Sequence, residues 1–365
     1  MIQKETPFMS QTYPQLKFSG TAQEVAEQTA TQLQSSIEEL IDFRERILHT
    51  HFGVSSVPKA LHAPIEDAHR ACGGYSVIEA EAIAKVTGRH TGEIIALSGL
   101  SDLMDYLGFV GEEEWGCSSL LFGPQRTDDI AFVQTWDLHR KIEDLSFVIE
   151  RDIEGYVPHL TLTTALGHTH FGVNQHGVCI GTNNLQSTKP TIGVVFACAL
   201  QRALEQATSA VHAKEILSEI PLMSAHNYVA ADLNHTFNIE RTAHDVVVHE
   251  LSPTEGFAHA NHFVDGVLGQ EGRIYSPTSK ARHAYLAQFQ APDAWSEPPG
   301  LQDLHEVFSD HEAAICRHAE RDEETATCGT LAFHPARRAI SIIKGVACQG
   351  HWHSYTLSSL FAAKT

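Results

Sequence analysis

The sequence predicts a layered α+β protein, and three observations carry that prediction. The first third keeps a helical period. After Cys117 the texture changes to short runs rich in β-branched and aromatic residues. These runs follow one another too closely to admit crossover helices, so their sheet is expected to be largely antiparallel. Helices flanking consecutive antiparallel strands give a layered sandwich.

Taken in order, Thr21 and Glu24 make the T-x-x-E signature of a capping box ahead of the first helix. Leu33, Ile37, Leu40, Ile41, Arg44, Ile47 and Leu48 then hold helical spacing, with one polar interruption. Two further helical patterns lie near 78–88 and 91–106. In "EEEWGCSSLLF" a carboxylate run ends at Trp115, and Gly116 and Cys117 open a strand. "DIAFVQTWDL", "LSFVIERD" and "YVPHLTLTTAL" read as further strands, broken by turn residues. "GVVFACALQRALEQATSAVHAKEILSEI" returns to helical periodicity, and "NYVAADL", "TFNIERTA" and "DVVVHEL" read as a meander. A helix is expected to begin at Ser276-Pro277, with Ser as cap and Pro in the first turn. "DAWSEPPGLQD" reads as a loop rather than a domain boundary, and "GTLAFHPARRAISIIKG" as a hairpin. The hexapeptide "HTHFGV" occurs at 49–54 and again at 168–173. The flanks share nothing, and a duplicated unit would extend over about 20 residues or more, so we read it as coincidence.

Composition excludes several partners. The chain of 365 residues carries 25 lysines and arginines against 45 aspartates and glutamates, a net charge of −20. Such a surface repels phosphate backbones and anionic lipid, so neither nucleic acid nor a membrane is expected as partner. The start, "MIQKETPFMSQTYPQLKF", has no apolar run suited to a signal peptide. Seven cysteines, odd in number and without a C-x-x-C pair, point to unpaired thiols in a reducing compartment. The expectation is a soluble, cytoplasmic, globular protein without a cofactor. Among 24 histidines, four close pairs occur: His49/His51, His168/His170, His259/His262 and His351/His353. An H-x-H pair in a strand puts both rings on one face, a start to a metal site. No Cys or carboxylate stands beside these pairs at a zinc-like spacing, so no metal is assigned.

Cys117 has a specific chemical opportunity. Cutting the Gly116–Cys117 bond would give a terminus carrying both a thiol and an α-amine, whose ordinary pKa is roughly 7.7–8.0. That amine can take the thiol proton, so the nucleophile needs no histidine. Gly116 suits the cut because it admits close approach of sulfur to its carbonyl. The plain alternative is that Cys117 is a buried small hydrophobe.

The ordered segments resemble a known family. "KFSGTAQEVAEQTATQL", "WGCSSLLF" with "VQTWD", "GVNQHGVCIGTNNL", "SAHNYVAADL", "FAHANHF" and "AAICRH…TCGTLAFHPARRAISIIKG" are together similar to the acyl-coenzyme A:6-aminopenicillanic acid acyltransferase (isopenicillin N acyltransferase)-like N-terminal nucleophile (Ntn) hydrolases. The resemblance implies a four-layer αββα sandwich of two mainly antiparallel sheets. It implies a precursor that cuts itself at Gly116-Cys117 into a helical 1–116 segment and a β-rich 117–365 segment. The two would stay associated as one structural domain and an α/β heterodimer, and a higher homo-oligomer is compatible with it. Cys117 is then the nucleophile and Asp137 the partner of the new α-amine. Asn184 and Asn261 become oxyanion donors, each worth on the order of 3 kcal/mol. Arg282 anchors a carboxylate or stabilises site charge. His259, His262 and Trp136 are assigned to substrate binding. Against these roles stand plain ones: Asp137 and Asn184 as turn residues, with Asn183 competing for the register, the histidines as packing, and Arg282 facing water. Gln134 stands where the choloylglycine relatives carry arginine, which argues against a bile-salt hydrolase.

The expected function is hydrolysis of a small linear N-acyl amide through a thioester, with acyl transfer to an amine as the alternative. A histidine-based metallohydrolase and a catalytically silent binding protein are more distant readings. Joint retention of Cys117, Asp137, Asn184 and Asn261 argues against silence.

Overall fold

The computed structural model describes residues 11–109, 116–273 and 276–358. The carboxylate run 112–114, Trp115 and the first ten residues lie outside the described residues. The chain opens with strand β1 (Gln15–Gly20), and Thr21 then starts helix α1 (Ala22–Gln32) as its signature requires. The Thr21 side chain accepts from the Glu24 N–H, and the Glu24 carboxylate accepts from the Thr21 N–H. Helix α2 (Gln34–Phe52) buries Ile37, Leu40, Ile41, Arg44, Ile47 and Leu48 on one face and stops at Gly53, which takes φ 68. Helices α3 (Lys59–Cys72), α4 (Tyr75–Thr87), α5 (Thr91–Ser98) and α6 (Leu100–Tyr106) follow. Sequence periodicity missed α3 because Pro64 interrupts it and only Ile65 and His69 are buried.

Past Cys117 come strands β2 (Ser119–Phe122) and β3 (Phe132–His139), the short helix α7 (Lys141–Asp144), and strands β4 (Ser146–Ile153), β5 (His159–Thr164), β6 (Thr169–Asn174), β7 (Cys179–Asn184) and β8 (Gln186–Ser187). The helical stretch near 193–220 is two helices, α8 (Phe196–Gln206) and α9 (Ala210–Glu219). Ser209 caps the second by accepting from the His212 N–H. Strands β9 (His226–Ala231), β10 (Thr236–Arg241), β11 (Val246–Glu250), β12 (Gly256–His259) and β13 (Gly272–Arg273) lead to helix α10 (Ser279–Ala287) and helix α11 (Leu301–Phe308). Strands β14 (Thr325–His334), β15 (Ala339–Lys344) and β16 (His353–Thr356) complete the fold. Helix α10 begins later than Ser276-Pro277 predicted. Thr278 is its N-cap, and the Ser276 hydroxyl accepts from Arg282 instead of capping.

Two sheets form, in the orders β1-β4-β5-β6-β7-β9-β10-β11 and β12-β2-β3-β14-β15-β16, with β13-β8 as a separate ribbon. Pairing is antiparallel throughout except at β1, which runs parallel to β4 from Gln15↔Val148 to Gly20↔Ile153. The sheets meet face to face where β7 crosses β3. A side chain on Gly181 would come within 2.7 Å of the Phe132 ring, and Gln134 donates to the Thr182 carbonyl. Helices α8 and α9 cover the larger sheet, and α10 covers β12 of the smaller one, which gives the αββα layering. The main core draws on both sides of residue 116, from Phe18, Ile41 and Leu97 to Phe132, Leu162 and Leu200. The two "HTHFGV" copies take different structures: 49–54 ends α2, and 168–173 enters β6. Among the described residues no helix is long and apolar enough to cross a membrane.

One buried ion pair ties the helical segment to the larger sheet. Arg151 of β4 donates to Glu79 of α4 at 2.9 Å, to the Gly167 carbonyl at 2.8 Å and to Thr161 at 3.1 Å, and both charged side chains are fully buried. Glu79→Ala leaves a buried guanidinium without its counter-charge. We expect a loss of about 3–5 kcal/mol, read by denaturant unfolding, whereas breaking a solvent-exposed pair such as Lys85–Glu27 should change stability little.

Candidate active site

Cys117 sits just ahead of β2, where β3 lies alongside. Gly116 forms an antiparallel bridge with Asp137: its N–H donates to the Asp137 carbonyl at 3.1 Å, and its own carbonyl accepts the Asp137 N–H at 2.8 Å. The bond predicted to break is therefore held with its carbonyl on a backbone donor. Three contacts fix the next residue. The Cys117 N–H donates to Asn261 Oδ1 at 2.8 Å, its carbonyl accepts from Arg282 Nη1 at 2.8 Å, and the Ser118 N–H donates to Thr135 Oγ1 at 2.9 Å. Burial first, then the Asp137 carboxylate, push the Cys117 thiol up to about 12. Arg282 and backbone hydrogen bonds from Asp137 and Asn184 pull the other way. In the intact chain this thiol stays protonated.

Arg282 does not face water. It is fully buried at the start of α10, and its donors reach Cys117 O, Ser118 Oγ, Asn261 Oδ1, Ser276 Oγ and Thr278 Oγ1 at 2.8–3.1 Å. A planar five-donor fork suits such a set, and an ammonium does not. Asp137 is also fully buried. Its Oδ1 accepts from Thr327 Oγ1 at 2.8 Å, and its Oδ2 has no hydrogen-bond partner. Burial raises its carboxyl to about 6, although Arg317, Arg282 and Thr327 favour the ionised form. The irregularity between Thr327 and Gly329, opposite Asp137 and Trp136, is a bulge that aims Thr327 at the carboxylate. A side chain on Gly116 would lie 3.0 Å from Arg282 Nη2 and 3.1 Å from Asp137 Oδ2, so close approach explains this glycine.

Cys117 opens onto a cavity of about 80 Å³ that is partly open to solvent. Trp136, Leu138, Ile142, Phe171 and Phe196 give it apolar walls, and Gly116, Asp137, Asn184 and Arg44 also line it. Four buried polar atoms without hydrogen-bond partners belong to lining residues: Asp137 Oδ2, Asn184 Oδ1, His170 Nδ1 and His226 Nδ1. Orphaned buried polar atoms are costly, and water or a polar ligand in the cavity would supply the missing partners. His226 is oriented by Asp102, which accepts from its other ring nitrogen at 2.8 Å.

A family profile described as acyl-coenzyme A:6-aminopenicillanic acid acyl-transferase matches residues 124–346. The chain belongs to this family. It is an enzyme of the acyl-transfer class. Asp137, Asn184, Asn261 and Arg282 lie within the matched span, and Cys117 lies just before it. Among solved structures the chain is similar to a Caenorhabditis elegans N-acylethanolamine-hydrolyzing acid amidase ortholog, at 13% identity over 60% of this chain and 93% of that one, TM-score 0.44. It is similar to a penicillin V acylase from Agrobacterium tumefaciens, at 10% identity over 69% and 81%, TM-score 0.37. A third likeness is to a mutant conjugated bile acid hydrolase from Clostridium perfringens, at 10% identity over 67% and 97%, TM-score 0.39. No curated protein matches.

In this acyltransferase-family member the expected residues divide into three groups. Cys117, Asp137, Asn184 and Trp136 line the cavity, with Trp136 edge-on to Phe171 at 5.7 Å. Asn183 turns the other way and binds Ser119 and Asn227. Asn261 and Arg282 hold the Cys117 backbone, and Asn261 Nδ2 donates to the Asn184 carbonyl at 2.9 Å. His259 and His262 are not brought to the cavity. His259 is buried on Glu240 at 2.9 Å, and His262 bonds Ser279 Oγ at 2.7 Å. The histidine pairs do not assemble a catalytic metal centre either. His49 and His51 are on a helix, and His168 bonds the Leu166 and Ser76 carbonyls. Sequence reading missed Arg44, Arg317, Thr327 and His226. Arg44 carried a signal, being the polar residue on the apolar stripe of α2. Removing the central clamp is the direct stability test here. Arg282→Met should lower unfolding free energy by about 3 kcal/mol or more by leaving several buried acceptors unpaired, and Arg282→Lys should not restore it in denaturant titrations.

Proposed function

We propose that this enzyme is a cysteine amidohydrolase that matures by its own scission at Gly116–Cys117 and then hydrolyses small linear N-acyl amides through a thioester. The supporting observation is the convergence on Asp137. Its backbone N–H holds the Gly116 carbonyl, and its unpartnered Oδ2 lies 3.1 Å from where a Gly116 side chain would stand. In maturation Cys117 Sγ attacks the Gly116 carbonyl carbon, and the thiol proton passes through water to the departing nitrogen. A thioester and a free α-amine result. Water then cleaves the thioester, releasing the Gly116 carboxylate and restoring the thiol. The new ammonium takes Asp137 Oδ2 as its partner. The helical segment stays bound because β1 is paired along its length with β4 and shares the core.

The substrate carbonyl then takes the place vacated by Gly116, with the Asp137 N–H as one donor to the oxyanion. We assign Asn184 and Asn261 as the further donors, and Trp136 with the apolar walls to the acyl group. Arg44 fits a substrate carboxylate. It is buried on the cavity wall, bonded to the Leu97 carbonyl and to Thr164 Oγ1 at 3.5 Å, and burial lowers its pKa to about 9. N-acyl amino acids combine these features. Acyl transfer to an amine is the second reading, favoured by the family's description.

A panel of N-acyl amino acids, penicillin-type amides and acyl thioesters, with and without amine acceptors, tests the assignment. Cys117→Ala should lose about 1000-fold or more in kcat, and iodoacetamide should inactivate the mature wild type. Turnover surviving in Cys117→Ala would rule the nucleophile out. Arg44→Gln should raise KM for acidic substrates more than for neutral ones.

The pH dependence follows from Asp137. In the intact chain its pKa of about 6 is above the ordinary carboxylate range, so the carboxyl is mostly protonated below that pH, and self-scission should slow as pH drops through about 6; the ammonium that scission creates then favours the ionised form. The same sign makes ionisation of Asp137 costly to the fold as pH rises from about 4 to 6. Asp137→Asn should fail to mature, and in the uncut Cys117→Ala background it should lose that pH-dependent step in unfolding free energy.

A further inference from the structure

The structure assigns a zinc site to His311, Cys316, His318 and Cys348. Their ligand atoms all lie within 4.8 Å of one another, and none of the four lines the cavity beside Cys117. His318 Nε2 stands 3.2 Å from both His311 Nε2 and Cys348 Sγ, so two ring nitrogens and a thiol converge on one point. Tetrahedral zinc with Zn–S of about 2.3 Å and Zn–N of about 2.0–2.1 Å needs ligand atoms at roughly such separations. Two imidazoles and two thiols, without a carboxylate, form a donor set that selects zinc over calcium, magnesium or manganese. All four positions come from the protein, which makes this a closed, structural site rather than a catalytic one.

The chain pays a local conformational cost to bring these residues together. Three ligands come from the segment after α11 and the fourth from the short turn after β15, Ala347–Gln349. Between His311 and Cys316, Ala314 adopts φ 61, one of two non-glycine residues at positive φ among those described. Cys316 N–H closes the loop on the Asp310 carbonyl at 2.8 Å, and Asp310 Oδ1 accepts from the Ala313 N–H at 2.7 Å. A left-handed alanine persists only where its surroundings over-determine it, and a metal joining both ends of this loop does so.

The site also reaches toward Asp137. Cys316 and His318 flank Arg317, whose N–H donates to Thr327 Oγ1 at 3.0 Å and whose carbonyl accepts the Thr327 N–H at 2.9 Å. Thr327 Oγ1 in turn bonds Asp137. Zinc would thus pin the segment that backs the buried carboxylate.

The test uses full-length protein purified without a histidine tag or chelator. Elemental analysis should find about one zinc per chain in wild type and in a Cys72→Ser control. It should find at least tenfold less in Cys348→Ser and His318→Ala, exposed positions chosen so that the variants fold. Cobalt(II) added to the metal-free protein should give the visible bands of a tetrahedral site with a thiolate charge-transfer band. Chelation should lower Tm by about 5 °C or more in wild type and not in Cys348→Ser. Zinc absent from wild type even after equimolar addition, zinc content unchanged in both variants, or cobalt bands without thiolate character would each overturn the assignment.

Discussion

The fully buried guanidinium of Arg282 organises the region where the two sheets join. A charge in that position is tolerable only when its donors are occupied, and here five oxygens occupy them. Two of those acceptors, the Cys117 carbonyl and Asn261 Oδ1, fix Cys117 from both sides of its Cα. The cost of desolvating the cation is offset by these charge-assisted hydrogen bonds, which also hold one peptide unit of the chain in place. Asp137 supplies the nearby negative charge without a direct ion pair, which leaves its second oxygen facing Gly116. A fully paired carboxylate could not receive a newly formed ammonium.

The same economy of contacts shapes the cavity. Polar atoms deep in a sandwich are normally satisfied, and four unpartnered ones belong to residues that line this cavity, beside aromatic and aliphatic side chains. The thiol, pushed up to about 12 while its nitrogen is an amide, has to give up its proton as it attacks the neighbouring carbonyl. The proposed scission changes that nitrogen into an amine and so changes the chemistry without a large rearrangement. In that proposal backbone cleavage acts as a local change of protonation partner.

Much of this was legible in the sequence, for identifiable reasons. Short runs after Cys117 forced antiparallel pairing, and the Thr21–Glu24 spacing forced a capped helix; both depend on local chemistry. Cys117, Asp137 and Asn184, which line one cavity, were singled out because family-like segments occur in order, and the choice of Asn184 over Asn183 needed the strand register. The parallel β1–β4 pair was not legible, because its partners are far apart in sequence. His259 and His262 flank Asn261 in the chain, but neighbours in a strand end or loop diverge in space, and neither reaches the cavity. Arg317, Thr327 and the His311–Cys348 cluster escaped for the same reason. Their meaning arises from contacts across the β14–β15 hairpin, and no short motif encodes those. Arg44 is the instructive miss, since a cation on an otherwise apolar helical face already marked a buried polar site.

In the proposed maturation the Gly116–Cys117 peptide bond, its carbonyl held by the Asp137 N–H, is made to break. Intact-mass measurement with N-terminal sequencing of freshly purified wild-type protein addresses it most directly. Wild type should give two associated chains, one of them beginning at Cys117, and Cys117→Ala a single uncut chain. A wild-type protein that remains one 40.1 kDa chain through prolonged incubation while turning over an amide would contradict it.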